Sequence, residues 1–167
     1  MNFTKKLLFL FIFFGCFSIC AQINKEKEVL KILSFEEVEK LHQQKPKPII
    51  AFFYTDWCKI CFGMKKNTFK NDKIIHLLND KFYFVELNAE QREDISFLGK
   101  TFVYKPSGNR TGINALAKEL ASIDGKISYP TTTILNSNLE IDLQIGNYIN
   151  SKDMHIILIK FLTLNEN

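Results

Sequence analysis

FFYTDWCKICFGMKK, Phe52–Lys66, places two cysteines, Cys58 and Cys61, three residues apart, directly behind Trp57 and at the end of an apolar run. Such a pair is open to three readings: two core thiols, half of a metal site, or a redox couple. The flanking residues discriminate between them. IIAFFY (Ile49–Tyr54) is wholly apolar, the signature of a strand buried on both faces. CKICFGMKKNTF then reads as a helix. The cysteines therefore lie just past the C-terminal end of a buried strand, where open α/β sheets carry their chemistry. Cys58 falls at the helix N-terminus, where unpaired N–H groups and the positive dipole end favour an anion and lower a thiol's pKa. Cys61 follows one turn later on the same side, within reach of a disulfide. The spacing thus provides an activated outer thiol and an inner thiol able to attack it.

Working outward, SFEEVEKLHQQ opens with Ser34 and has Glu37 three residues on, a capping-box pattern, with Phe35, Val38 and Leu41 at helical spacing. KPKP ends that helix. NDKIIHLLNDK is a further helical stretch begun by Asn71 or Asp72, FYFVELN (Phe82–Asn88) a second strand, and Ile113–Ser122 a helix. Thr131–Asn136 and Leu139–Gly146 read as strands joined tightly through Ser137 and Asn138. A last helix carries Met154, Ile157, Leu158 and Phe161 on one stripe. Helix-separated early strands imply right-handed parallel crossovers, and the late hairpin adds an antiparallel pair. The expected fold is α/β: a three-layer sandwich with a mixed central sheet flanked by helices. Phe97–Gly112, with three glycines and a proline, is expected to be a long irregular insertion that shapes the rim of the site, the alternative being a bland surface insertion.

The chain's 167 residues suffice for one core, and 46% apolar with 24% charged residues is ordinary for a globular protein. The formal charge is +4 and its lysines are scattered among acids, without the basic stripe a nucleic-acid surface needs. Residues 1–21 have the grammar of a secretory signal peptide: Lys5 and Lys6, the apolar run from Leu7, then small residues to Ala21. The alternatives are a lipoprotein acylated at Cys16 and a retained N-terminal anchor. The domain plan is a leader over 1–21, a polar lead-in over 22–33 and one domain over 34–167. The expected location is extracytoplasmic, in a bacterial periplasm. Cleavage after Ala21 leaves Cys58 and Cys61 as the only cysteines. A disulfide closing so small a loop barely constrains the unfolded chain, so a structural staple is a poor account of the pair.

DWCKIC after IIAFFYT, with YPT (Tyr129–Thr131) far downstream, resembles the thioredoxin superfamily, over about Ile49–Leu162. The closer likeness is to extracytoplasmic members such as the C-terminal domain of DsbD-type membrane reductases. The resemblance implies a thiol–disulfide oxidoreductase with Cys58 attacking and Cys61 resolving. It implies that Pro130 is a cis-proline facing the pair, that the Tyr129 backbone is open to a substrate strand, and that Trp57 shields the site. It implies no bound cofactor. The implied partners are protein or peptide thiols and disulfides, and a separate redox partner that recycles the pair; the protein would be a monomer and would bind no nucleic acid.

Three positions depart from the family pattern. Phe52 stands where reductants often have a buried acid, Glu86 where a lysine is common, and Lys59-Ile60 forms the intervening dipeptide. A charge inside an apolar strand is costly unless used. Glu86 is accordingly expected to accept the proton of Cys61, the alternative being a strand residue facing water. Absence of a histidine from the dipeptide favours a reducing character over an oxidising or isomerising one. Zinc needs four ligands where one C-x-x-C offers two, and His42, His76 and His155 lie on other stretches, so no metal site is expected. A non-catalytic peptide-binding or chaperone-like module remains the other functional class.

Overall fold

The computed structural model describes residues 27–109 and 111–165. The leader expected over 1–21, with Cys16, lies outside the described residues. In chain order the elements are β1 (Ile32–Leu33), α1 (Phe35–Gln44), β2 (Ile49–Tyr54), α2 (Lys59–Asn67), α3 (Asp72–Lys81) and β3 (Tyr83–Asn88). Four short strands follow: β4 (Ile95–Phe97), β5 (Lys100–Phe102), β6 (Tyr104–Gly108) and β7 (Thr111–Asn114). Then come α4 (Ala115–Ala121), β8 (Ser122–Ile123), β9 (Lys126–Ile127), β10 (Thr131–Leu135), β11 (Ile141–Ile145) and α5 (Ser151–Asn165).

Five strands form the central sheet in the order β1-β3-β2-β10-β11. β1, β3 and β2 are parallel, whereas β10 runs antiparallel to both β2 and β11, giving the mixed sheet. The period-two alternation of β2 feeds both cores. Ile49, Ala51 and Phe53 pack with Phe35 and Val38 of α1 and with Leu116 and Leu120 of α4. Ile50 and Phe52 pack with Cys61 and Met64 of α2, Ile74 and Leu78 of α3, and Met154, Leu158 and Phe161 of α5. The wholly apolar run IIAFFY is thus buried on both sides, as its composition requires. α1 has its capping box: Ser34 Oγ accepts the Glu37 N–H at 3.1 Å, and Glu37 accepts the Ser34 N–H at 2.7 Å. Asn71, not Asp72, caps α3, accepting from the Lys73 and Ile74 N–H groups.

The lead-in is more than a polar tail. Its end supplies β1, in parallel register with β3 through Ile32↔Phe84. Lys27–Lys31 forms a strap along α3. Asn79 accepts the Lys31 N–H (2.9 Å) and donates to the Glu28 carboxylate (2.7 Å) and the Val29 carbonyl (2.9 Å). The Lys27 ammonium lies 3.9 Å from Asp72.

Phe97–Gly112 is not an irregular loop. It falls within two consecutive hairpins, β4–β5 and β6–β7. The first turns through Leu98 (φ 53°) and Gly99 (φ 70°), the two left-handed residues of a tight hairpin turn. It is fastened to α1, whose Glu36 and Glu39 accept the N–H groups of Ser96 and Leu98, while Phe97 packs edge-on to Phe35 at 5.0 Å. The helix expected from Ile113 begins at Ala115, because Ile113 belongs to β7 and Asn114 is the N-cap. The β10–β11 connection is also longer than the Ser137-Asn138 pair. The Asn136 N–H bonds to the Glu140 carbonyl and the Leu139 N–H to that of Asn136, with Leu139 at φ 65°. This is the three-residue loop that needs a left-handed third residue.

Candidate active site

The β2–α2 junction sets the cysteines. The Cys58 N–H bonds to the Thr55 carbonyl at 3.1 Å, and Cys58 is itself the N-cap of α2, its sulfur accepting the Cys61 N–H at 3.1 Å. The two are joined as a disulfide with their Cα atoms 5.3 Å apart. Both cysteines are buried, Cys58 at 6% exposure being less so than Cys61 at 1%.

Trp57 lies open beside them, 65% exposed, with its ring edge-on to Tyr129 at 6.1 Å. Its indole N–H donates to both carboxylate oxygens of Glu90 at 3.1 Å. The Glu90 N–H donates to Asn88 Oδ1 (3.0 Å), and Asn88 Nδ2 donates to the Asp56 carboxylate (2.9 Å). Asp56, Trp57, Asn88 and Glu90 thus form one chain of hydrogen bonds from the β2–α2 turn to the end of β3. The Tyr129–Pro130 peptide bond is cis, and Pro130 opens β10 with its side chain buried. Burial pushes the Tyr129 phenol up to about 12, and the Glu90 charge adds to the effect.

Glu86 does not face water. It stands opposite Phe52 in the β2–β3 register, on the face that packs against α2. Its carboxylate is 2.6 Å from the Lys65 ammonium, and their side chains are only 14% and 24% exposed. The same ammonium sits 3.2 Å from the centre of the Tyr54 ring. Lys65 is one turn beyond Cys61 on α2, so the Glu86–Lys65 pair occupies the layer that holds the inner sulfur. Phe52, where the family pattern has an acid, is fully buried and packs edge-on to Phe69. Of the histidines, His76 on α3 contacts Glu28 in the strap, and His42 and His155 lie on α1 and α5.

Cys58, Cys61, Trp57 and Tyr129 come together at one end of the sheet, with Pro130 beside Tyr129. Glu86 lies on the same sheet face, bound to Lys65. Sequence reasoning missed Glu90, Asn88 and Lys65. Lys65 reads in the sequence as one more lysine on a helix, with nothing in its spacing to tie it to Glu86. Glu90 and Asn88 follow an apolar strand with no motif of their own, and only the β2–β3 register carries them to Trp57.

A family model described as thioredoxin-like matches residues 32–108. The chain's fold is shared with solved structures across most of its length. It aligns with a DsbH oxidoreductase at 18% identity, covering 83% of this chain and 85% of that one, with a TM-score of 0.55. A thioredoxin from Thermus thermophilus aligns at 15% identity, 79% and 86% coverage, and a TM-score of 0.56. The oxidised C-terminal domain of DsbD from Neisseria meningitidis aligns at 15% identity, 80% and 98% coverage, and a TM-score of 0.50. Among curated proteins, spermatogenesis-associated protein 20 of Rattus norvegicus is 36% identical over 61 residues, which are 36% of this chain and 8% of that protein. An uncharacterized protein of Caenorhabditis elegans is 33% identical over 63 residues, 38% of this chain and 9% of its own length. The chain therefore spans about a tenth of those two relatives. The sheet order and the helices on both faces give the chain a thioredoxin-like fold, and a little under half of the chain, residues 32–108, matches the thioredoxin-like family model. In fold the chain is similar to DsbH and to the DsbD C-terminal domain, and in that fold it carries the Cys58–Cys61 disulfide.

Proposed function

We propose that the protein reduces disulfides in polypeptides outside the cytoplasm, through Cys58 and Cys61. The observation that carries this reading is the asymmetry of the pair: the less buried cysteine caps the helix N-terminus and the more deeply buried one lies a turn behind it. In the reduced protein the Cys58 thiolate attacks one sulfur of a substrate disulfide. The substrate S–S bond breaks, its other sulfur leaves and takes up a proton, and a mixed disulfide through Cys58 remains. Cys61 loses its proton and attacks the Cys58 sulfur, releasing the second substrate thiol and closing Cys58–Cys61. Two electrons pass to the substrate, and a separate protein dithiol restores the pair. Trp57 and Tyr129 flank the outer sulfur. The backbone of Tyr129, ahead of Pro130, offers an edge for a substrate strand. Glu86 takes the proton from Cys61, with Lys65 holding its carboxylate in place.

The reducing direction is supported by the absence of a histidine between the cysteines and by the Asp56 carboxylate two residues before Cys58, which disfavours a nearby thiolate. The extracytoplasmic location rests on the charged, apolar and small-residue sequence of 1–21. The test is disulfide reduction on an insulin-type substrate. Cys58→Ser abolishes it, whereas Cys61→Ser accumulates covalent adducts through Cys58. Activity of Cys58→Ser equal to wild type rejects the assignment in favour of a non-catalytic peptide-binding module.

A further inference from the structure

The carboxylates around the cysteines are of two kinds. Glu86 is neutralised by Lys65 at 2.6 Å. Asp56 and Glu90 are not: among the described residues neither has a lysine, arginine or histidine nitrogen within the 4.0 Å of an ion pair. They are held instead by neutral donors, Asp56 by the Asn88 amide and Glu90 by the Trp57 indole. A neutral donor fixes a carboxylate without cancelling its charge. The Glu90 charge is felt in the site already, since it acts on the Tyr129 phenol. Lys59 is the one cation of the α2 first turn. It is exposed on a flexible stem, whereas the Asp56 carboxylate is held by Asn88 at the end of the sheet and the Glu90 carboxylate by Trp57, the residue before Cys58.

We infer that Glu90 and Asp56 are specificity residues: they make the site favour disulfides flanked by basic residues and disfavour acidic ones. This deepens the thiol–disulfide reading and rests on it. A substrate strand that brings its sulfur to Cys58 alongside Tyr129 passes Trp57, and its neighbouring side chains meet this acidic rim. An arginine or lysine there gains a partner, and an acid is repelled. Oxidised glutathione, with its surplus of carboxylates, is a poor substrate on the same grounds.

The test uses two peptide disulfides identical except for arginine or glutamate beside the cysteine. kcat/KM for each is measured at low salt and at about 1 M salt, where charges are screened beyond about 3 Å. The expected preference for the arginine peptide at low salt is about fivefold, what a partly exposed ion pair contributes. It falls towards one at high salt and in the double variant Glu90→Gln, Asp56→Asn. In the Glu90→Gln change the new amide oxygen can still accept the indole N–H, and unchanged emission of Trp57, the only tryptophan, checks that the ring keeps its seat. Glu140→Gln, at the β10–β11 hairpin on the other end of β10, leaves the preference as it was. Equal rates for both peptides in the wild type, or a preference that survives in the double variant, overturn the inference while leaving the oxidoreductase standing. If neither peptide reacts through Cys58, the oxidoreductase reading falls and takes the inference with it.

Discussion

A carboxylate inside an apolar strand costs free energy unless its charge is met, and at Glu86 it is met by Lys65. The two partners are not equally provided for. Lys65 also lies over the Tyr54 ring, so it retains a favourable cation–π contact if the acid is removed. Glu86 has no second cation among the described residues. Lys65→Met should therefore destabilise the protein more than Glu86→Gln, by about 2–3 against about 1 kcal/mol, since an uncompensated buried charge is the larger penalty. Urea denaturation measures both, and the reverse order refutes the account. On the chemistry, Glu86→Gln should slow resolution of the mixed disulfide near neutral pH and leave alkylation of Cys58 nearly unchanged. Resolution rates that match wild type across the pH range remove Glu86 from the mechanism. The sequence marked Glu86 because one charge interrupts YFVELN. It could not mark the partner, because Lys65 reads as one more lysine on an exposed helix until α2 is laid on β3.

At the scale of elements, the helices and buried strands were legible because each has one dominant signal: a cap and a 3.6-residue period, or an unbroken apolar run. The short hairpins were not. β4 and β5 are three residues each, too brief for a period to declare itself. The turn of β8–β9 carries Asp124-Gly125, both with positive φ, a recognised hairpin signal hidden between two-residue strands. The consequence concerns what can be cut. Phe102, in β5, is buried against the α1 face, while Lys105–Gly108 on β6 is exposed. Replacing 105–112 by a short Gly-Ser turn should change stability by less than about 1 kcal/mol, because Lys105–Gly108 and Thr111 are exposed and the buried Phe102 and Asn114 are kept. Phe102→Ala should cost about 3 kcal/mol, in the range for a core phenylalanine. If the trimmed protein loses activity on protein substrates but keeps it on small disulfides, the β6–β7 hairpin helps form the substrate rim. Equal retention on both assigns it a surface role.

For the whole molecule, the thioredoxin-like fold was readable from the residues that frame Cys58 and Cys61, since the cysteine spacing, the buried strand before it and the Tyr-Pro-Thr after it must all meet at one end of a sheet. The electrostatic setting of the pair was only partly readable, because it depends on Glu90 arriving from β3. That setting bears on the direction of electron flow. Equilibration with glutathione buffers should place the potential nearer about −270 mV than about −120 mV, because two uncompensated carboxylates, Asp56 two residues before Cys58 and Glu90 against Trp57, oppose the thiolate that an oxidant must stabilise. A value at the oxidant end reverses the assignment. The strap along α3 bears on a different matter, how the protein can be held. Lys27 is pinned at Asp72, beyond the C-terminal end of α2, whereas Cys58 begins that helix. Its nine residues separate the two points by on the order of 14 Å. A bead or lipid attached through the N-terminal segment therefore grips the molecule by its flank and leaves the sulfurs free to dock, and protein immobilised in that way should turn over substrate as fast as protein in solution.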